Sequence, residues 1–134
     1  MFLSELKPKQ KELFLDLGIC LSKSDGLFDT TEKKSILEMC REMGIENRLE
    51  KEHTFEDALS LISAEITKRE KRIVLLETAG IVLADGEFSE EEELLVKKIS
   101  EGLGIEYSEY ENVLETVKEL LKIYSKIGEF LTKK

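Results

Sequence analysis

The stretches of this sequence best equipped for chemistry are two Asp-Gly dipeptides, at residues 25–26 and 85–86, each followed by acidic side chains. With Asp at the fifth and Gly at the sixth position of an EF-hand calcium loop, Glu32 and Glu92 fall at the twelfth position. Such a loop also needs oxygen ligands at its first and third positions. The residues found there are Leu21, Lys23, Ile81 and Leu83. None of these side chains coordinates calcium, so the sequence excludes a standard EF-hand.

Residues that could support catalysis are few. Glu77 lies in the strongly apolar segment 73–84, where it is either a buried carboxylate with a raised pKa or the partner of Arg72 or of a backbone group. The single histidine, His53, stands in a polar connection and is expected to be exposed. The sequence has no nucleophile–base motif, phosphate-binding glycine loop or Cys/His cluster. We therefore predict that the protein is not an enzyme. An acid-using hydrolase would need a pocket that joins Glu77 or His53 to another acid.

The two Asp-Gly turns belong to a duplicated unit. Residues 11–45 align with residues 71–105 without a gap, and the identical pairs include Asp25/Asp85, Gly26/Gly86 and Phe28/Phe88. A long period that occurs only twice favours two halves packed face to face over an extended repeat array. We therefore expect two helix–turn–helix hairpins related by a pseudo-two-fold axis, with the helix at 72–84 the most buried.

Helix signals cover most of the chain. Pro8 is suited to the first turn of a helix, and Gly44 and Gly104 are suited to follow helix ends. Helix starts are predicted at the capping residues Asp29, Thr54, Thr67, Ser89 and Ser108. A last helix follows from apolar residues at steps of three and four, namely Val113, Val117, Leu120, Leu121, Tyr124, Ile127 and Leu131. No stretch alternates with period two, so we predict an all-α fold of about six helices.

Composition limits the class of protein. The 134 residues carry a formal charge of −9 and suit one domain, 1–134, with internal repeats at 11–45 and 71–105. This charge disfavours non-specific binding to nucleic acid or anionic membranes and is compatible with cations or basic partners. The chain shows no secretory signal and no apolar run near the ~18 residues needed to span a bilayer. Cys20 and Cys40 lack metal-ligand spacing, and we expect reduced core thiols and a cytoplasmic location.

The run GIVLADGEFSEEEELLVKKISEGLGI, at residues 80–105, resembles the tellurite-resistance TerB-like family. The resemblance is best over 71–105 and weaker over 11–45. It implies a duplicated all-helical domain in which each half carries an Asp-Gly turn and an acidic helix start. Members of this family occur in tellurite-resistance operons, as stand-alone stress-associated proteins, and at the N-terminus of membrane-anchored DnaJ-like co-chaperones.

The resemblance also implies that clustered acidic residues bind a divalent metal ion, calcium or magnesium. Carried over to matching positions of this chain, the ligands would be Asp25, Asp29, Glu32, Asp85 and Glu92. Ser89 stands where the second half would need the counterpart of Asp29, which weakens the second site unless Glu93 contributes.

Each of these acidic residues also has a structural explanation. Glu32 and Glu92 fit capping boxes, and Asp29 fits an N-cap. Asp25 and Asp85 each follow a helix C-terminus, where the macrodipole disfavours an anion. A hydrogen bond to amides of the next helix or a bound cation would offset that cost. Both explanations stay open.

The sequence therefore predicts a non-enzymatic TerB-like module that binds a divalent cation and a protein partner in a stress or toxic-oxyanion response. The alternative is a metal-free structural interaction domain whose turns fix the helix hairpins. We expect no nucleic-acid partner, no direct membrane insertion, and a monomer or weak homodimer.

Overall fold

The computed structural model describes residues 1–24, 26, 28–84 and 89–134. Within these ranges the chain forms six α-helices, a short 3-10 helix at Leu3–Glu5, and no β-strand. The helices are α1 (Pro8–Ser22), α2 (Thr30–Met43), α3 (Phe55–Ala64), α4 (Lys68–Leu83), α5 (Glu90–Gly102) and α6 (Tyr107–Thr132). The predicted all-α class is confirmed.

The packing is centred on α1 and α4. Helix α1 contacts α2, α3 and α4, and α4 in turn contacts α5 and α6. Ten of the 15 residues of α1 are buried, compared with eight of the 16 residues of α4. The expectation that 72–84 is the most buried helix is therefore wrong. Helix α1 is more enclosed because its polar residue Asp16 is fully buried under the 45–53 connection, whereas Arg72 and Glu77 of α4 are partly accessible.

Local capping sets most of the helix boundaries. Thr67 Oγ1 accepts a hydrogen bond from the backbone N–H of Glu70 at 3.1 Å, and Glu70 Oε1 accepts one from the N–H of Thr67 at 3.0 Å. This reciprocal pair satisfies two N–H groups that lack helical partners, and it separates α3 from α4 as predicted. Gln10 of α1 also donates to Glu70 Oε1, at 3.1 Å, so the start of α4 is hydrogen-bonded to α1.

The start of α6 differs from the prediction. The helix begins at Tyr107, with Glu106 rather than Ser108 as its N-cap, and Glu106 makes no side-chain capping bond. Its backbone carbonyl accepts the first helical hydrogen bond, from Tyr110 at 3.0 Å. Tyr107 packs beside the buried Tyr110 and under Lys97, with ring centroids 5.8 Å apart. These contacts hold two more residues, Tyr107 and Ser108, in the helix than the capping pattern indicates.

Gly26 has a backbone φ of +84°, in the left-handed region that favours glycine. We expect Gly26→Ala to lower the free energy of unfolding by about 1 kcal/mol. A Cβ at this position meets nothing within 4 Å, so the cost is conformational and not steric. Denaturant titration measures the loss, and a variant as stable as the parent would contradict the left-handed assignment.

Gly102 and Gly128 give a matched test of helix packing. A Cβ on Gly102 would lie 2.7 Å from Leu59 Cδ2 and 2.9 Å from Leu59 Cγ, where α5 packs on α3. Gly102→Ala should therefore destabilise the fold by about 1–3 kcal/mol through overpacking. A Cβ on Gly128 in α6 meets nothing within 4 Å, so Gly128→Ala should stabilise it by a few tenths to about 1 kcal/mol through helix propensity. Thermal melts of both variants that shift in the same direction would contradict this packing.

Candidate functional site

The acidic positions after the first Asp-Gly turn cap α2. Asp29 Oδ1 accepts the backbone N–H of Glu32 at 2.8 Å, and Glu32 Oε1 accepts the N–H of Asp29 at 3.3 Å. The predicted capping box is confirmed. Asp25, the remaining proposed ligand of this half, lies outside the described residues.

The second turn repeats this arrangement with a different capping residue. Ser89 Oγ accepts the backbone N–H of Glu92 at 3.1 Å, and Glu92 Oε1 accepts the N–H of Ser89 at 3.2 Å. This capping box is also confirmed. Asp85, the expected metal ligand of this half, and Gly86 lie outside the described residues.

The charges beside the two turns differ. Lys23 Nζ lies 4.9 Å and Lys33 Nζ 5.8 Å from the ring centre of Phe28, which is half-buried against the core. The second turn leads instead into four consecutive glutamates, residues 90–93, in the first turn of α5. Two ammonium groups oppose a nearby cation and four carboxylates attract one. The surroundings of the second turn therefore suit a cation better than those of the first.

The described carboxylates do not by themselves form a metal centre. Among residues 1–24, 26, 28–84 and 89–134, no three acidic, histidine or cysteine side chains are grouped so that they could hold an ion. Asp29 and Glu32 supply two positions at the first turn, and Glu92 supplies one at the second. A ligand set would therefore have to be completed by Asp25 or Asp85.

A cluster that the sequence analysis did not identify is centred on Asp16, which is fully buried in α1. Its Oδ1 accepts from Arg48 Nη1 at 2.7 Å and from the backbone N–H of Glu52 at 2.8 Å. Its Oδ2 lies 2.8 Å from His53 Nδ1. A buried carboxylate requires such partners because its desolvation is costly. These contacts attach the 45–53 connection to α1.

Arg48 extends the cluster to the surface. It also contacts Glu12 at 3.2 Å and Glu52 at 3.1 Å, while only 16% of its side chain is exposed. Partial burial opposes its charge, but the hydrogen bonds that Arg48 donates to Asp16 and Glu12 outweigh this and raise the pKa of Arg48 above its ordinary value. The guanidinium group therefore stays charged and matches the buried carboxylate.

One sequence signal could have identified this cluster. Asp16 is a lone carboxylate within the apolar run at residues 13–21, which is the same signal that drew attention to Glu77. His53 was expected to be exposed and is instead a half-accessible partner of Asp16. The fold thus joins His53 to an acid, but that acid also accepts hydrogen bonds from Arg48 and from the backbone N–H of Glu52. Two open cavities, one beside Ile73 of α4 and the other between α3 and α5, are not lined by Asp16, His53 or Glu77.

Glu77 serves as an anchor for the first residues of the chain. Its Oε1 accepts from the backbone N–H of Phe2 and from the Met1 ammonium group, both at 2.9 Å. The expected backbone partner is thus present, whereas Arg72 pairs with Glu109 at 2.8 Å. Of the two partners that the sequence left open for Glu77, the structure has the backbone group, and Arg72 is paired with α6 instead.

Both cysteines are free thiols, as expected, with Cys40 buried and Cys20 half-buried. Burial raises the pKa of the Cys20 thiol, Lys51 lowers it by a smaller amount, and Asp16 raises it further. None of the helices in the described ranges combines the length and apolarity that a membrane crossing requires.

The six helices and the capping boxes at the starts of α2 and α5 place the protein among small all-α domains with acidic helix starts. A family model described as tellurite resistance protein TerB matches residues 45–115, which is more than half of the chain. The protein belongs to the TerB family. The matched range contains the second Asp-Gly turn and ends within α6. No curated protein and no solved structure matches the chain.

Proposed function

We propose that this TerB-family protein is a non-enzymatic cytoplasmic module that binds a divalent cation, calcium or magnesium, at its Asp-Gly turns. In this proposal the cation-bound form recognises a protein partner in a stress or tellurite-resistance type of response. Family membership supports the module, and the −9 formal charge favours cations over nucleic acid.

The observation that carries the proposal is the repeated placement of carboxylates at two turns. In both halves, reciprocal hydrogen bonds hold the acidic residue seven positions after the Asp in the first turn of the following helix. The positions of Glu32 and Glu92 are thereby fixed close to the turns. Asp25 and Asp85 would complete the ligand sets with a second carboxylate, and hard cations such as calcium and magnesium prefer oxygen ligands.

The second turn is the better candidate. Residues 90–93 place four carboxylates beside it, whereas Lys23 and Lys33 stand beside the first turn. Asp85, with Glu92 and a contribution from Glu93, is therefore the ligand set we favour.

The duplication is part of the same proposal. We propose that the chain is one domain, 1–134, in which the hairpins within 11–45 and 71–105 superpose about a pseudo-two-fold axis. The order α1–α2 and α4–α5, the capping boxes at the second helix of each pair, and the contact between α1 and α4 support it. The protein would act as a monomer or weak homodimer without inserting into a membrane.

Isothermal titration with calcium, magnesium, manganese and zinc tests cation binding directly. We expect saturable heat with calcium or magnesium that is reduced in Asp85→Asn. The absence of heat with all four metals would contradict the cation proposal.

A metal-free interaction domain is the second candidate. The capping boxes favour it, because they give Glu32 and Glu92 a complete structural role in starting α2 and α5. In that case the Asp-Gly turns only set the geometry of the helix hairpins.

A further inference from the structure

The last part of α6 extends beyond the packed core. The helix has 26 residues and a length of about 39 Å, whereas α4, beside which it lies, has 16 residues and a length of about 24 Å. Tyr110, Leu114 and Val117 of α6 are buried, but every residue from 122 to 132 is exposed. This end of the helix has no partner within the described chain.

The projecting end is amphipathic. Its large exposed apolar side chains are Ile123, Tyr124, Ile127, Phe130 and Leu131. At roughly 100° per residue, these five fall within about a third of the helix circumference. Three of them follow heptad spacing, and Ile123 and Phe130 widen the face beyond a two-position coiled-coil seam. The helix thus presents a broad apolar face.

The charge of this segment is opposite to that of the whole protein. Residues 118–134 contain five lysines and two glutamates and so have a net charge of +3. Because the whole chain has a formal charge of −9, residues 1–117 have a charge of −12. Lys118 and Lys122 lie on the side of the helix opposite the apolar face, Lys126 lies at the edge of that side, and Lys133 and Lys134 follow the end of the helix. The exposed segment is about 16 Å long, which exceeds the screening length of about 8 Å at physiological salt. The acidic body therefore does not cancel the local positive charge.

A second copy of the chain fits this face less well. A standard protein interface uses about 20–30 residues on each side, and the projecting face offers five large apolar residues. The acidic body would attract the lysines, but its exposed large apolar side chains are scattered over separate elements. In the described part of the chain these are Met1, Phe2, Leu61, Leu94 and Tyr107. The partner has to cover a broad apolar face and to attract the lysines. An anionic lipid surface does both, because it offers a continuous apolar layer beneath negative headgroups.

We propose that residues 120–134 form a peripheral docking helix for an anionic lipid surface. Ile127, Phe130 and Leu131 enter the boundary between headgroups and acyl chains, and the lysines of the opposite side remain among the headgroups. The helix lies in the plane of the surface and does not cross it. The −9 charge of the whole protein disfavours binding to anionic membranes, but the net positive charge at the end of α6 favours it there.

Vesicle co-sedimentation of the full chain tests this inference. One set of vesicles contains equal parts of phosphatidylcholine and phosphatidylglycerol, and the other contains phosphatidylcholine alone. We expect partition at least about tenfold stronger with the anionic vesicles, falling as salt is raised. The double variants Ile127→Ser/Phe130→Ser and Lys122→Glu/Lys126→Glu should each lower partition about tenfold. All four side chains are exposed, so melting temperatures should stay close to that of the parent.

Two matched controls separate the helix from general properties of the surface. Leu61→Ser/Leu94→Ser removes two exposed apolar side chains from α3 and α5, and Lys9→Glu/Lys34→Glu makes the same charge change on α1 and α2. Both should keep partition within about twofold of the parent. Equal sedimentation with and without anionic vesicles would overturn the proposal. A stable dimer in light scattering would also overturn it, if Ile127→Ser/Phe130→Ser converts that dimer to a monomer. A second copy of the chain would then occupy the apolar face.

Discussion

Asp16→Ala is expected to lower the free energy of unfolding by about 3–5 kcal/mol, the range for breaking a buried ion pair from one side. The substitution removes the acceptor for Arg48, for the backbone N–H of Glu52, and for His53. Arg48, with 16% of its side chain exposed, would keep its charge without its closest partner. The 45–53 connection would lose these three hydrogen bonds to α1 and keep those from Arg48 to Glu12.

Denaturant titration of Asp16→Ala beside Glu52→Ala measures this effect. The Glu52 side chain is 60% exposed and contacts the same guanidinium group, so its removal should cost no more than about 1 kcal/mol. Asp16→Asn keeps the shape and one acceptor oxygen but not the charge, and should lie between the two. A loss for Asp16→Ala no larger than that for Glu52→Ala would show that the cluster does not hold the connection.

The parts of the fold that depend on neighbours in sequence were predictable. The capping boxes at Asp29, Thr67 and Ser89 are complete within four residues, so the helix starts follow from the residue types alone. The left-handed conformation of Gly26 follows in the same way from glycine's lack of a Cβ. The N-cap of α6 was misplaced because the packing of Tyr107 on Tyr110 overrides the capping pattern at Ser108.

The parts that depend on distant neighbours were not predictable. The bond from Arg48 to Asp16 joins residues 32 positions apart, and no local pattern shows that the connection folds back over α1. The same missing information made α4 rather than α1 the expected centre. For α6, the apolar spacing predicts a helix over its whole length. It does not show that its partner helix α4 is ten residues shorter, with 16 residues to its 26.

The candidate site also has a part that depends on sequence neighbours and a part that does not. The roles of Asp29, Glu32 and Glu92 in capping follow from spacing and are confirmed. Cation binding depends on where Asp25 and Asp85 direct their carboxylates across each turn, which local spacing does not determine. It remains the central proposal for this TerB-family protein.

Thermal melting with and without cation tests that proposal most directly. A ligand that binds only the folded state stabilises it by about 2.7 kcal/mol at a hundredfold excess over Kd. With a micromolar Kd, millimolar calcium or magnesium should therefore raise the melting temperature by several degrees.

Asp85→Asn is the informative variant for this measurement, because asparagine keeps an oxygen that can accept a turn hydrogen bond but lacks the charge that a hard cation needs. We expect this variant to melt close to the parent in chelator and to lose most of the response to cation. Asp57→Asn removes a carboxylate from the first turn of α3 that belongs to neither proposed ligand set, and should keep the full response. Melting temperatures that do not change with calcium, magnesium, manganese or zinc in either the parent or Asp85→Asn would contradict the account and leave the metal-free interaction domain.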